Sequence, residues 1–140
     1  MTVLSNNFSL ARMLSPVWHG CVAASDPEPR EYLEKTNTAN FAWSSQARGY
    51  FVSREATGLM VGADSNWDDE NNRKRRDRAF ELAEKYGVTA INIAAAYVLC
   101  QSFPSFALIG PRQIRETITS LPALSIELTP DELAYLDLRD

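Results

Sequence analysis

Cysteine and histidine are scarce in this chain of 140 residues, which has two of the first, Cys21 and Cys100, and one of the second, His19. Two cysteines are too few for a disulfide scaffold and fit a reduced, cytoplasmic protein. One His and one Cys, two residues apart in a loop, cannot complete a four-ligand metal site, so no metal is expected. Positive charge is not in excess either. The net charge of -4 leaves no basic footprint, and no nucleic acid partner is expected. No stretch reaches the about 20 apolar residues that span a bilayer, and the longest apolar run, residues 91–100, is broken by Asn92. The start, Met1-Thr2-Val3-Leu4-Ser5, lacks the basic region and long apolar core of a signal peptide. A membrane partner is therefore not expected. The six glycines form no G-x-G-x-x-G motif, and no internal repeat is visible.

What is present suits one soluble domain with a single core. The first half reads as short strands and long loops, with a strand over residues 3–10 and an aperiodic stretch over 14–26. Pro27 and Pro29 mark a helix start, followed by a short helix over 28–35 with Tyr32 and Leu33 inward. Residues 39–44, with Phe41 and Trp43, read as a buried strand, and Gly49, Gly58 and Gly62 punctuate an irregular stretch to about Ser65.

The second half carries clearer signals. Residues 73–86 place Ala79, Leu82, Ala83 and Tyr86 on one face of a helix closed by Gly87. Its basic run, Arg73-Lys74-Arg75-Arg76-Asp77-Arg78, is flanked by Asp68, Asp69, Glu70 and Glu81 and reads as a solvated helix face. Thr89 caps a second helix over 90–101, apolar nearly all round, with Cys100 as a small core residue. A short buried strand over 106–109 ends at Gly110, and a helix over 113–121 stops before Pro122. Thr129-Pro130-Asp131-Glu132 is a capping box with proline at the first helical position, after which Leu133, Leu136 and Tyr135 turn inward. This βαβα alternation predicts an α/β fold with a parallel sheet. Three strands are few for such a sheet, which needs neighbours on both edges and cover on both faces.

Two segments add a family resemblance. Phe41-Ala42-Trp43-Ser44-Ser45-Gln46-Ala47-Arg48-Gly49-Tyr50-Phe51 resembles the seventh-strand segment of aldo-keto reductases. Gly87-Val88-Thr89-Ala90-Ile91-Asn92-Ile93-Ala94-Ala95-Ala96-Tyr97-Val98-Leu99 resembles the helix leading to their eighth strand, which then corresponds to Phe106-Ala107-Leu108-Ile109-Gly110-Pro111-Arg112. The order and spacing match over residues 39–138 and, more loosely, from Val3. The stretch Ser5-Asn6-Asn7-Phe8-Ser9-Leu10-Ala11 is similar to the end of the sixth strand in bacterial and fungal reductases. The resemblance implies a partial (β/α)8 TIM barrel over residues 1–140, corresponding to about strands six to eight with their helices. It also implies a parent activity, the NADP(H)-dependent reduction of aldehydes or ketones. The family binds NADP(H) without a Gly-rich motif, and barrel sites lie on the loops after the strands, with phosphate often held after strands seven and eight.

By the same resemblance Trp43 stacks on the nicotinamide, where without the motif order it would read as a core aromatic. Ser44, Gln46 and the turn to Gly49 match the loop that wraps the pyrophosphate, where exposed backbone N–H groups suit an anion. Gly110, Pro111 and Arg112 match the turn that approaches the adenosine phosphate. Arg112 is either the ligand of the 2′-phosphate, through bidentate charge-assisted bonds, or a solvated surface charge. Ser5 corresponds to the position that hydrogen-bonds the nicotinamide amide. The family often has Arg four residues beyond the Arg112 position and Glu-Asn further along, where this chain has Glu116 and Thr119-Ser120. A carboxylate there opposes a phosphate, so NADP against NAD stays open.

The family's proton donor, a Tyr tuned by Lys and Asp beside a His, comes from the first half of the barrel, and no matching segment occurs here. No catalytic residue is therefore assigned, and a carbonyl substrate is expected only if an N-terminal half completes the barrel. The other reading is a non-catalytic half-barrel that binds a partner, or itself, through its exposed strand edges. Trp18 and Trp67 receive no role.

Overall fold

The computed structural model describes residues 3–56 and 66–140; the expected roles of Gly58 and Gly62 as loop breakers lie outside these. Among the described residues three strands, β1 (Val3–Asn7), β2 (Ala39–Trp43) and β3 (Ser105–Ala107), form a parallel sheet in the order β1-β2-β3. Ser5 lies opposite Phe41, and Phe41 opposite Phe106. Five α-helices among the described residues accompany them: α1 (Pro27–Thr36), α2 (Glu70–Tyr86), α3 (Ala90–Leu99), α4 (Ile114–Ser120) and α5 (Pro130–Leu136). No helix among the described residues is long and apolar enough to cross a membrane.

The core lies between the sheet and α3. Alternation along the strands sends Asn40 and Ala42 to the buried side and Val3, Ser5, Phe41 and Phe106 to the exposed side. The expected buried strand at 106–109 is thereby corrected. Phe106, Leu108 and Ile109 are all exposed: β3 ends at Ala107, and on its outer face the ring of Phe106 packs against that of Phe41, 5.2 Å away. The buried reading of β2 holds for Asn40 and Ala42 but not for Phe41. α3 is buried from Asn92 to Val98. The residue that interrupts its apolar run, Asn92, is satisfied there. Its Oδ1 accepts from Thr89 Oγ1 at 2.8 Å and its Nδ2 donates to Thr119 O at 2.8 Å. Cys100 ends that helix half-buried, its thiol 3.5 Å from Ile126 O.

Two helices differ from the sequence reading. In α1 only Leu33 is buried, and Tyr32, one position and about 100° around the helix, is 47 % exposed. α2 starts at Glu70, ahead of its apolar period, because the Asp69 side chain accepts from Asn72 N at 2.7 Å. The basic run on α2 is only partly a solvated face. Arg73 pairs with Asp68 and Lys74 with Glu70, but Arg75 and Arg76 are buried. Arg75 Nη1 donates to Asn72 Oδ1 at 2.9 Å, and Arg76 lies over the Tyr50 ring at 4.6 Å. Burial, with Arg12 nearby, lowers the pKa of Arg75. Gly87 closes α2 at φ 66°.

Two polar clusters fasten the C-terminus. In the expected capping box Thr129 N donates to Glu132 Oε2 at 2.9 Å, and Glu132 also accepts from Lys85 Nζ and Tyr86 OH, each at 2.7 Å. Burial opposes that carboxylate's charge, but Lys85, the Thr129 backbone and Tyr86 together bring its pKa to about 2. Leu136 is fully buried, with Leu133 and Tyr135 partly so. Beyond α5, Asp137 Oδ2 accepts from Arg30 Nη1 at 2.7 Å and Oδ1 accepts from Tyr97 OH, while Arg30 Nη2 donates to Gln101 Oε1 at 2.8 Å. This clamp joins α1, α3 and the chain end. Burial would raise the Asp137 pKa, and the Arg30 charge and hydrogen bonds carry it below the usual carboxylate range instead.

Asp137→Asn removes the closer and more buried carboxylate from the largely buried Arg30 guanidinium, leaving it only the half-exposed Glu34 at 3.3 Å, and should cost about 2 kcal/mol, read as a lower thermal midpoint by circular dichroism. Because the folded pKa of Asp137 lies below its unfolded value of about 3.9, its contribution is present above that value and is lost as pH falls through the folded one. Wild type should therefore lose stability more steeply than the variant below about pH 4.

Candidate cofactor site

The loops after β2 and β3 lie side by side because their strands pair, and a cleft of about 860 Å³ opens between them. Its lining includes Ser44, Gln46, Gly49, Gly110, Pro111 and Arg112, six of the eight residues singled out from the sequence. Arg48, Glu116 and Ser120 line it as well. Two bonds hold the walls together. Ser45 Oγ donates to Leu108 O at 2.8 Å, and Gln46 Nε2 lies 3.5 Å from Ser120 Oγ.

The loop after β2 is tightly wound. Ser44, Ala47, Arg48 and Gly49 have φ between 48° and 86°, a conformation that only glycine adopts without cost. A short 3-10 turn, Ala47–Gly49, results. Three amides of this stretch are engaged within the turn and are not available to an anion: Ala47 N donates to Ser44 O, Gly49 N to Gln46 O and Tyr50 N to Ala47 O. The turn is backed by buried Tyr50 and Phe51, and Tyr50 OH donates to Asp68 Oδ1 at 3.1 Å.

Positive charge in the cleft comes from side chains. The guanidinium of Arg48 lies 5.7 Å from the Trp67 ring centre, and its Nε donates to Ser44 Oγ at 3.3 Å. Arg112 is exposed on the opposite wall. Neither has a carboxylate within ion-pair distance among the described residues. The one carboxylate among the described lining residues, Glu116, accepts from Arg112 N at 2.6 Å, so its charge sits at the turn that carries Arg112. Sequence reasoning passed over Arg48, although it lies inside the quoted 41–51 segment; the left-handed backbone that turns it into the cleft leaves no mark in composition.

Trp43 and Ser5 stand outside this lining. Trp43 ends β2 immediately before Ser44 and stacks on Trp18. Ser5 is exposed in the middle of β1, on the sheet face shared with Phe41. Among the described residues no group of three or more His, Cys, Asp and Glu gathers to hold a metal ion.

Comparison with known proteins places these features. The aldo/keto reductase family model matches residues 12–138. A putative aryl-alcohol dehydrogenase of Saccharomyces cerevisiae is 32% identical over 106 residues, which is 68% of this chain and 68% of that protein. A norsolorinic acid reductase of Aspergillus flavus is 27% identical over 147 residues, covering 98% of this chain but 37% of the relative. A thermostable aldo-keto reductase solved with the inhibitor epalrestat superposes with a TM-score of 0.64 at 18% identity, over 97% of this chain and 39% of its own. An aldo/keto reductase from Klebsiella pneumoniae, solved with NADP and acetate, gives 0.60 at 16% identity, over 96% and 38%. The chain thus spans well under half of most of these proteins, and its α/β fold with a parallel sheet is similar to part of their barrels. On the span of the family match, the chain belongs to the aldo/keto reductase family.

Proposed function

We propose that this chain is the cofactor-holding C-terminal part, about strands six to eight, of an NADP(H)-dependent reductase of aldehydes or ketones. The observation that carries the reading is the convergence of Ser44, Gln46, Gly49, Gly110, Pro111 and Arg112 on one cleft. The cleft's volume falls in the range of small-molecule sites, and among the described lining residues two arginines stand against one carboxylate, a balance that suits an anionic ligand. Arg48 and Arg112 would take the phosphates by charge-assisted hydrogen bonds, with Trp43 set against the nicotinamide. When bound, NADPH supplies the hydride to the carbonyl carbon. The proton must come from a general acid, and nothing in this chain resembles the family's Asp, Tyr, Lys and His set.

A second reading, a half-barrel that binds a partner or a second copy, has its own support. Phe41, Phe106 and Val3 are exposed on one sheet face, and β1 and β3 are edge strands. Such edges pair readily with other chains.

Three outcomes follow. Arg48→Ala and Arg112→Ala should each weaken NADPH binding about tenfold, the worth of one charge-assisted hydrogen bond, as measured by calorimetry; unchanged affinity in both would remove the phosphates from this cleft. The chain alone should reduce no aldehyde at an enzyme's rate, since general acid catalysis is commonly worth roughly 10²–10⁴-fold; NADPH oxidation at such a rate on adding an aldehyde contradicts this. On the second reading, sedimentation should show self-association that Phe41→Lys with Phe106→Lys abolishes, and a monomeric wild-type chain counts against self-pairing.

A further inference from the structure

Trp18 lies in the connection between β1 and α1, and its ring centre is 4.7 Å from that of Trp43, with the planes 28° from parallel. This is the shortest ring separation among the described aromatic pairs. Trp18 is 56 % exposed, so it adds little to the core, yet the chain holds it firmly in place. Cys21 N donates to Trp18 O at 3.1 Å, closing a four-residue turn whose third residue, Gly20, has φ 78°. A side chain at that position would be strained whatever the space around it. The limbs of the connection are also pinned. Leu14 N donates to Asn66 O at 2.7 Å and Asn66 Nδ2 to Ser15 Oγ at 2.9 Å on one side. On the other, Ala24 N donates to Asn7 O at 2.7 Å. Asn7 also fixes the partner, since its Nδ2 donates to Trp43 O at 3.1 Å.

The connection therefore presents one indole to another at the end of β2, next to the cleft. We propose that Trp18 is a positioning residue for Trp43: it covers one face of that ring, holds its angle, and leaves the other face for a flat ligand ring. That the ligand ring is a nicotinamide rests on the reading under Proposed function; that Trp18 sets the Trp43 ring does not.

The test uses the chain labelled with 5-fluorotryptophan, whose Trp18 and Trp43 fluorine signals are assigned with Trp18→Phe and Trp43→Phe. In Trp18→Ala the Trp43 signal should move toward that of a solvated indole and gain a solvent isotope shift, whereas Trp18→Phe should retain most of the wild-type position. NADPH, followed by tryptophan quenching, should bind Trp18→Ala about 3- to 10-fold more weakly, the range of one aromatic pair, with most of the loss restored in Trp18→Phe. Both variants should keep the wild-type far-ultraviolet spectrum, because Trp18 is exposed; if Trp18→Ala does not fold, Trp18→Leu takes its place. An unmoved Trp43 signal in the alanine variant overturns the proposal, as does NADPH binding that is equal or tighter there, which would mean that Trp18 sits where the ligand must go. If wild type binds no NADPH, the cofactor reading fails, and the fluorine signals alone decide whether Trp18 holds Trp43.

Discussion

β2 pairs in parallel with strands on both sides, and every candidate residue takes its place from that pairing. Parallel strands end at the same edge of a sheet, so the segments leaving β2 and β3 emerge together and can share a cleft. Trp43 ends β2 and Ser44 follows directly on it, and Leu108 follows on β3. The bond from Ser45 to Leu108 O then draws the two exits together. Without the register of Asn40 on Ser105 and Ala42 on Ala107, Arg48 and Arg112 would have no reason to line the same space.

The helical side keeps that arrangement rigid. α3 is buried nearly all round behind the sheet, and Asn92 ties it to the end of α4 through Thr119 O. Arg30, Tyr97 and Asp137 join the first helix, the central helix and the chain end in one buried cluster. A cluster of this kind is costly to bury and costly to break, which favours one packing over others. The outer sheet face has no such cover among the described residues. Phe41 and Phe106 meet only each other among the described ring contacts.

Where a structural signal is local, the sequence displayed it. The Thr129–Glu132 capping box, the left-handed Gly87 and the Thr89 start of α3 each depend on a few adjacent residues, and each is found as expected. The errors fall where burial depends on distant chain. Leu108 and Ile109 look like core from composition, but no element among the described residues covers them. Arg75 and Arg76 look like surface, but the chain around Asn72 and Tyr50 encloses them. Of the candidate site, the residues on the two loops were legible from the order of motifs. Arg48 was not, because its direction follows from backbone angles, nor was the stack of Trp18 on Trp43, which needs a loop folded back over 25 positions of sequence.

The most direct test of the account is an amide NMR titration of the chain with NADPH. The account predicts saturable shifts at Ser44 to Gly49 and at Gly110 and Arg112, with the strands otherwise quiet. Shifts confined to other surfaces, or none at concentrations where related reductases are saturated, would contradict the assignment of this cleft to the cofactor.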